Sequence, residues 1–287
     1  MTRPSSPPTV LVLSGHDPSG GAGQQADIEA IAAQGAHAAA AITCLTVQDT
    51  ANVRHVEAVA PELIIAQAEA VLADQRVAAI KLGLLGTGAI VTAVAALLAR
   101  YPAIPVVTDP VLVATGGGRL AADDLIPAVR AALLPRTTVL TPNAPEARAL
   151  AGTDDLAACA EALRALGARY VLVTGGDEPG AQVENRLHGP EGTQVFTWPR
   201  LPGPFHGSGC TLAAALAGRL ALGEPVALAA ERAQAYVART LAAAFRPGRG
   251  AAIPRRWLRD AAGPCRCCPR SAWWPAAWRR STSRARS

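Results

Sequence analysis

The chain has 287 residues, half of them apolar, with 27 Lys and Arg against 22 Asp and Glu. That length and apolar content suffice for one large α/β domain with a substantial core, while no continuous apolar run points to a membrane span and residues 1–8 are too short and polar for a signal peptide. Nine Arg and one Asp in residues 255–287 carry +8 and leave the rest of the chain at −3, so the formal charge of +5 gives no ground for a nucleic-acid partner.

Short β-rich runs alternate with Ala/Leu helical patterns, which predicts βα units around a largely parallel sheet. In chain order the expected strands are 9–14, 38–43, 77–82, 105–108, 137–141 and 169–174. The expected helices are 24–34, 61–73, 87–100, 123–134, 145–151 and 156–166, with Gly35, Gly152 and Gly167 where helix C-caps belong. After Thr174 the pattern changes. Residues 185–188 and 193–198, joined by Gly189-Pro190-Glu191-Gly192, read as an antiparallel hairpin at a sheet edge, and two long helices near 209–222 and 225–244 close the body.

The body is expected to be one domain, residues 1–254. From Arg255 onward Pro, Arg, Trp and Cys replace the Ala/Leu/Val pattern, and four of the five Trp fall there. Residues 255–287 are therefore expected to be a disordered tail rather than a continuation of the fold. Cys44, Cys159 and Cys210 lie in the body and Cys265, Cys267 and Cys268 in the tail, with neither a zinc-ribbon spacing nor a disulfide framework.

Ligands of open parallel sheets bind beyond the carboxyl ends of strands, so the loops that follow strands carry the chemistry. The first, Ser14-Gly15-His16-Asp17-Pro18-Ser19-Gly20-Gly21-Ala22-Gly23, allows close approach to its backbone. It is neither a P-loop nor a dinucleotide-binding loop. The run His206-Gly207-Ser208-Gly209-Cys210-Thr211-Leu212 reads as an anion pocket at a helix N-terminus, where unpaired N–H groups and the helix dipole hold a phosphoryl group. A thiol in that first turn, Cys210, is expected to have a lowered pKa and to serve as a base; the alternative is an inert core cysteine. Gln48 offers an amide donor and acceptor to a ligand edge, or is a plain loop residue. Lys81, the only lysine, is a candidate phosphate contact or a surface charge at a strand end.

Taken together, S-G-H-D-P-S-G-G-A-G-x-Q-A-D (14–27), A-I-T-C-L-T-V-Q-D-T (41–50), K-L-G-L-L (81–85), V-V-T-D-P-V (106–111), T-P-N-A-P-E (141–146) and H-G-S-G-C-T-L (206–212) resemble the hydroxymethylpyrimidine/phosphomethylpyrimidine kinases, in order and approximate spacing, over residues 9–245. The resemblance implies a ribokinase-like three-layer α/β fold, with a mostly parallel central sheet, helices on both faces and an antiparallel edge hairpin. It also implies two ATP-dependent phosphorylations in thiamine biosynthesis, of 4-amino-5-hydroxymethyl-2-methylpyrimidine and then of its monophosphate. On that basis Cys210 is the catalytic residue, with Gly207, Ser208 and Gly209 around the transferring phosphate. Gly15, Asp27, Gln48 and Leu84 line the pyrimidine pocket. Asn143, Glu146, Thr174 and Lys81 serve ATP, and Asp109 and Glu146 hold Mg²⁺ through water.

Thr174-Gly175-Gly176 stands where many family members have Lys-Gly-Gly, so an expected cation near the phosphates is absent. A pyridoxal-type vitamin B6 kinase is the alternative enzyme, and a non-catalytic pyrimidine-binding sensor the alternative of another class. Retention of Cys210, Asn143 and Glu146 argues against the sensor. The expected protein is a cytoplasmic homodimer that binds ATP and a small pyrimidine, with no nucleic-acid or membrane partner.

Overall fold

A computed structural model describes residues 6–112 and 122–257. Among these residues nine strands form one sheet in the order β3-β2-β1-β4-β5-β6-β7-β8-β9. These are β1 (Thr9–His16), β2 (His37–Gln48), β3 (Val53–Ala58), β4 (Val77–Leu82), β5 (Val106–Thr108), β6 (Val139–Leu140), β7 (Tyr170–Val173), β8 (Gln182–Gly189) and β9 (Gly192–Pro199). From β2 through β7 neighbouring strands pair in parallel, while β3, β8 and β9 run antiparallel at the two edges. This is the expected fold class, α/β with a mostly parallel sheet.

The central strands read as nearly continuous apolar runs because both faces are covered. Along β1, Leu11 and Leu13 enter one core and Val10 and Val12 the other, as the two-residue period of a strand requires. The first core is closed by α2 (Pro61–Asp74), α3 (Gly88–Ala99), α4 (Leu125–Ala128), α5 (Ala144–Ala151) and α6 (Leu156–Ala165). The second is closed by α1 (Gly23–Ala33), α7 (Ser208–Ala221) and α8 (Val226–Ala242). Gly35, Gly152 and Gly167, expected after helix ends, all have positive φ.

Two elements differ from the sequence-based expectation. Strand β3 lies where no element was expected: its side chains are half-buried or exposed on both faces, so its Val53-Arg54-His55-Val56-Glu57-Ala58 sequence carries no clear alternation. The helix expected over 123–134 is α-helical only at Leu125–Ala128, continues as a wider turn at Val129–Leu133 and ends in a tight turn at Leu134–Arg136. Pro135, which has no N–H to give, lies in that last turn.

Strand order reverses at β1, whose neighbours are β2 and β4. The loops after β1, β4 and β5 therefore open at one switch point, where the sheet leaves a crevice for a ligand.

Candidate active site

The loop after β1 is held in shape by Asp17. Its Oδ1 accepts the Ser19 N–H at 2.8 Å, and its Oδ2 accepts the Ala22 N–H at 2.8 Å and lies 2.8 Å from Nε2 of His206. Burial works against the Asp17 charge, but the bonds from His206, Ser19 and Ala22 outweigh it and bring the carboxyl down to about 2. His206 precedes Gly207, the N-cap of α7, which has φ +81°. A Cβ on Gly207 would overlap the Gly21 carbonyl oxygen, and a Cβ on Gly21 would overlap the His206 ring. Two glycine-rich loops nearly two hundred residues apart in sequence are thus locked backbone to backbone, and neither tolerates a side chain at the contact. Asp17 and His206 were not among the expected site residues, although both lie inside the quoted motifs.

Beneath these loops runs a chain of polar side chains. Ser14 Oγ donates to Asp27 Oδ2 at 2.7 Å, and Lys81 Nζ sits 2.8 Å from Asp27 Oδ1 and 3.8 Å from Asp109 Oδ2. Asp27 and Lys81 have no solvent exposure at all. Lys81 is therefore a buried ion-pair centre, which corrects the alternative of a surface charge at a strand end. Burial lowers its basicity, yet Asp27, Cys210 and Asp109 together push it up. Asp27, expected in the pyrimidine pocket, has both oxygens engaged by Ser14 and Lys81.

Asp109, just past β5, faces Cys210 in the first turn of α7. Burial raises the Asp109 carboxyl against the pull of the Lys81 charge. The same surroundings act on the thiol: desolvation first, then the Asp109 charge, push Cys210 well above its ordinary value. This overturns the expectation of a lowered pKa, because desolvation, reinforced by the Asp109 charge, outweighs the helix N-terminus. Gly207, Ser208 and Gly209 stand at the same helix end with the expected free N–H groups.

Asn143 and Glu146 form a reciprocal cap on α5. Asn143 Oδ1 accepts the Glu146 N–H at 2.8 Å, and Glu146 Oε2 accepts the Asn143 N–H at 3.0 Å. Glu146 also accepts the Leu112 N–H at 3.4 Å. Burial, reinforced by the Asp109 charge, raises its carboxyl to about 8. Thr174 bridges to Asn143 as a parallel neighbour, which sets it beside this cap. Among the described residues no group of three or more His, Cys, Asp or Glu side chains stands ready to enclose a metal ion. Two carboxylates close enough to feel each other's charge nevertheless fit a divalent cation that keeps most of its waters.

The pyrimidine-pocket residues divide into two groups. Leu84 is buried against Gly15, where a Cβ would come within 3.1 Å of the Leu84 side chain, and Cys44 completes the contact. Gln48, the last residue of β2, lies elsewhere, lining a cavity of about 330 Å³ with Asn52, His206, Arg246 and Gly250. Gly15, Asp27 and Leu84 do not line that cavity.

A residue assigned to the tail also enters the site. Arg255, Arg256 and Trp257 belong to the body, and Arg256 is fully buried. This corrects the boundary expected at residue 254; the rest of the expected tail, residues 258–287, lies outside the described residues.

Glycine-rich loops and a helix N-terminus gathered at the switch point of a mostly parallel sheet fit a small-molecule kinase of the ribokinase-like class. The chain belongs to the phosphomethylpyrimidine kinase family, whose model matches residues 17–255, and is a phosphotransferase. It is 40% identical over 250 residues to the hydroxymethylpyrimidine/phosphomethylpyrimidine kinase of Synechococcus elongatus, covering 85% of this chain and 95% of that one. It is also 40% identical to that of Escherichia coli, over 72% of this chain and 80% of the relative. Among solved structures, an ADP complex of Bacillus subtilis pyridoxal kinase superposes with a TM-score of 0.82 at 30% identity, covering 88% of this chain and 98% of the other. The phosphomethylpyrimidine kinase of Clostridium difficile gives 0.72 at 29% identity, covering 82% and 99%.

Proposed function

We propose that this protein transfers the γ-phosphoryl group of ATP to 4-amino-5-hydroxymethyl-2-methylpyrimidine and then to its monophosphate, in thiamine biosynthesis. The observation that carries the reading is the placement of Cys210 in the first turn of α7, within the field of the buried Asp109 carboxylate and beside the N–H groups of Ser208 and Gly209. A thiol pushed up in pKa cannot wait as a thiolate at neutral pH. Its proton passes to Asp109 as Sγ takes the proton of the attacking hydroxyl, so no free thiolate is needed. The N–H groups meet the charge on the transferring phosphoryl oxygens. Gly15 and Leu84 supply an apolar wall, and Gln48, which lines a different cavity beside His206 in this structure, has to turn toward that wall to read the aminopyrimidine edge. Asn143 and Thr174 flank the nucleotide phosphates.

When bound, Mg²⁺ would offset phosphate charge, and Glu146 with Asp109 would hold it through its waters. Asp27 and Lys81 set the charge behind Asp109 and Cys210 rather than touching substrate. Exposed Leu45 and Val47 on the ribbon of β2 and β3 support a homodimer paired through that ribbon. No helix among the described residues is long and apolar enough to cross a membrane; the cytoplasm is proposed as the compartment. Residues 258–287 are proposed to be a dispensable tail.

The pyridoxal kinase likeness favours one second reading, a vitamin B6 kinase. ADP release measured in parallel with the pyrimidine alcohol, its monophosphate and pyridoxal decides between them. The proposal requires turnover of the first two to exceed that of pyridoxal, and fails if pyridoxal is the better substrate. Gln48→Leu should weaken pyrimidine binding by about 1–3 kcal/mol while leaving ATP affinity unchanged, because it strands a ring nitrogen and an amino group.

A further inference from the structure

Arg256 is the largest fully buried side chain among the described residues. It lies past the two helices that close the fold, in a segment whose composition resembles no part of the domain. A guanidinium removed from water must have its donors met, and the groups that meet these come from both glycine-rich loops of the site. Nη1 donates to the Gly20 carbonyl at 3.2 Å, Nη2 donates to the Gly21 carbonyl, and Nε donates to Thr211 Oγ1 at 2.8 Å. Its one carboxylate partner, Glu29 on α1, is 3.2 Å from Nη1.

The Thr211 contact reaches the phosphate cradle itself. Thr211 Oγ1 accepts from Arg256 and donates to the Gly207 carbonyl at 2.6 Å, so the arginine orients the hydroxyl and the hydroxyl orients that carbonyl. A trans peptide points its C=O and N–H in opposite directions. Holding the Gly207 carbonyl toward the helix body therefore aims the Ser208 N–H outward, where an anion would lie. On the other side, Arg256 pins Gly21, whose carbonyl is packed against Gly207 without room for a Cβ.

The segment that carries Arg256 is itself anchored to the loop after β2 and to the approach to His206. Ala252 pairs with Phe205 as a parallel bridge, the Ala251 N–H donates to the Thr50 carbonyl at 3.0 Å, and the Tyr236 hydroxyl donates to the Arg256 carbonyl at 2.8 Å. The chain that leaves α8 thus passes the loop after Gln48, then the strand into His206, and ends with its guanidinium under both glycine loops.

We infer that Arg256 is a positioning residue for phosphoryl transfer, which fixes the peptide of Gly207 and Ser208 against the loop of Gly20 and Gly21 so that the cradle N–H groups converge on the transferring phosphate. The inference deepens the kinase reading and rests on it. Arg256 need not touch substrate; it acts through Thr211 and Gly21. Lysine cannot replace it, because one ammonium on a flexible stem cannot serve two carbonyls and a hydroxyl in a fixed plane.

The test uses the full-length chain and two variants, Arg256→Met and Arg256→Lys, with Arg255→Ala as a neighbouring control. Circular dichroism and thermal melting establish the folded fraction, and kinetics are normalised to it. The expected result for folded Arg256→Lys is a fall in kcat of about a hundredfold with a raised KM for ATP, the scale of effect that misplacing a reacting group produces, while pyrimidine affinity by calorimetry stays within about twofold. Guanidinium ion added to Arg256→Met should restore part of the turnover, which methylammonium should not. A purely structural arginine would change melting temperature and folded fraction without moving the KM for ATP. Should Arg256→Met not fold, Arg256→Lys decides alone. Folded Arg256→Lys with kcat and KM for ATP both within about twofold of wild type overturns the inference. If instead the wild-type chain turns over neither pyrimidine nor pyridoxal, the kinase reading falls first; ATP affinity of the same variants by calorimetry then reads the cradle separately.

Discussion

Lys81 Nζ lies 2.8 Å from Asp27 Oδ1 with both side chains wholly out of water, and Asp109 stands 3.8 Å from the same nitrogen. One cation therefore holds two carboxylates beneath the reacting centre. Lys81→Met leaves both of them buried and facing each other, and should cost about 3–5 kcal/mol of stability by urea denaturation. Lys81→Met combined with Asp27→Leu removes a charge of each sign and should recover part of that loss. If the double variant loses as much as the two single variants added together, the pair is not coupled and the charge account of the site is wrong.

Glu146 gives a pH signature. Its carboxyl is raised to about 8 by burial and by Asp109, so the folded state holds a proton that the unfolded chain releases near its ordinary value of 4.5. Stability from this group is complete below that ordinary value and is lost progressively as pH rises to the folded value, at a slope approaching ~1.4 kcal/mol per pH unit. Glu146→Gln should flatten the slope across that window, and added Mg²⁺ should shift it toward lower pH in the wild-type chain only. Identical pH slopes for wild type and Glu146→Gln would remove the carboxylate from this role.

Cys210 should behave as a slow thiol. Although partly accessible, it is pushed up in pKa by desolvation and by Asp109, so peptide-resolved alkylation with iodoacetamide near neutral pH should be slow. Asp109→Asn removes the second of those causes and should speed labelling at Cys210. Cys210→Ala should lower turnover by about 10² to 10⁴ with little change in substrate affinity. Fast labelling of the wild-type thiol would argue instead for a resident thiolate.

Much of the architecture was legible in the sequence because the central strands are buried on both faces and their apolar runs are bounded by turn residues. Strand β3 was not legible, since a ribbon exposed on both sides carries no period. The site divides in the same way. Gly207, Ser208, Gly209 and Cys210 share one local motif at a helix start, and the Asn143 and Glu146 cap spans three residues. Lys81, Asp27 and Asp109 meet only through the strand order, so a buried triad of charges looked like three separate polar residues. Arg256 was hidden more deeply, among arginines whose composition suggests a solvated tail, because its partners are backbone carbonyls at Gly20 and Gly21 that leave no mark in sequence.

The end of the body is testable by truncation. Ending the chain after Trp257 keeps Arg256, and ending it after Pro254 removes it together with the Tyr236 bond to its carbonyl. The first truncation should leave turnover and melting temperature close to those of the whole chain. The second should lower melting temperature by more than about 5 °C, the shift that over 1 kcal/mol produces in a domain of this size. Equal behaviour of the two truncations would return residues 255–257 to the tail.

The anion loop makes a sharper demand on one glycine than on its neighbour. Gly207 has φ +81° and no room for a Cβ beside the Gly21 carbonyl, so Gly207→Ala combines backbone strain with a clash between the two loops. Gly209 lies inside the first turn of α7 at negative φ, and a Cβ there would meet only Asp109 Oδ1 at 3.9 Å, an ordinary contact. The requirement for glycine therefore falls on Gly207. Gly207→Ala should lower stability by about 1–3 kcal/mol, the scale of a strained backbone position, and abolish measurable turnover. Gly209→Ala should fold as stably as wild type within about 0.5 kcal/mol, since helical alanine is favoured over glycine and offsets the tighter approach to Asp109. Melting temperature and single-turnover phosphorylation of both variants read the difference directly, and a Gly207→Ala protein that is stable and active would mean that the two glycine loops are not locked together.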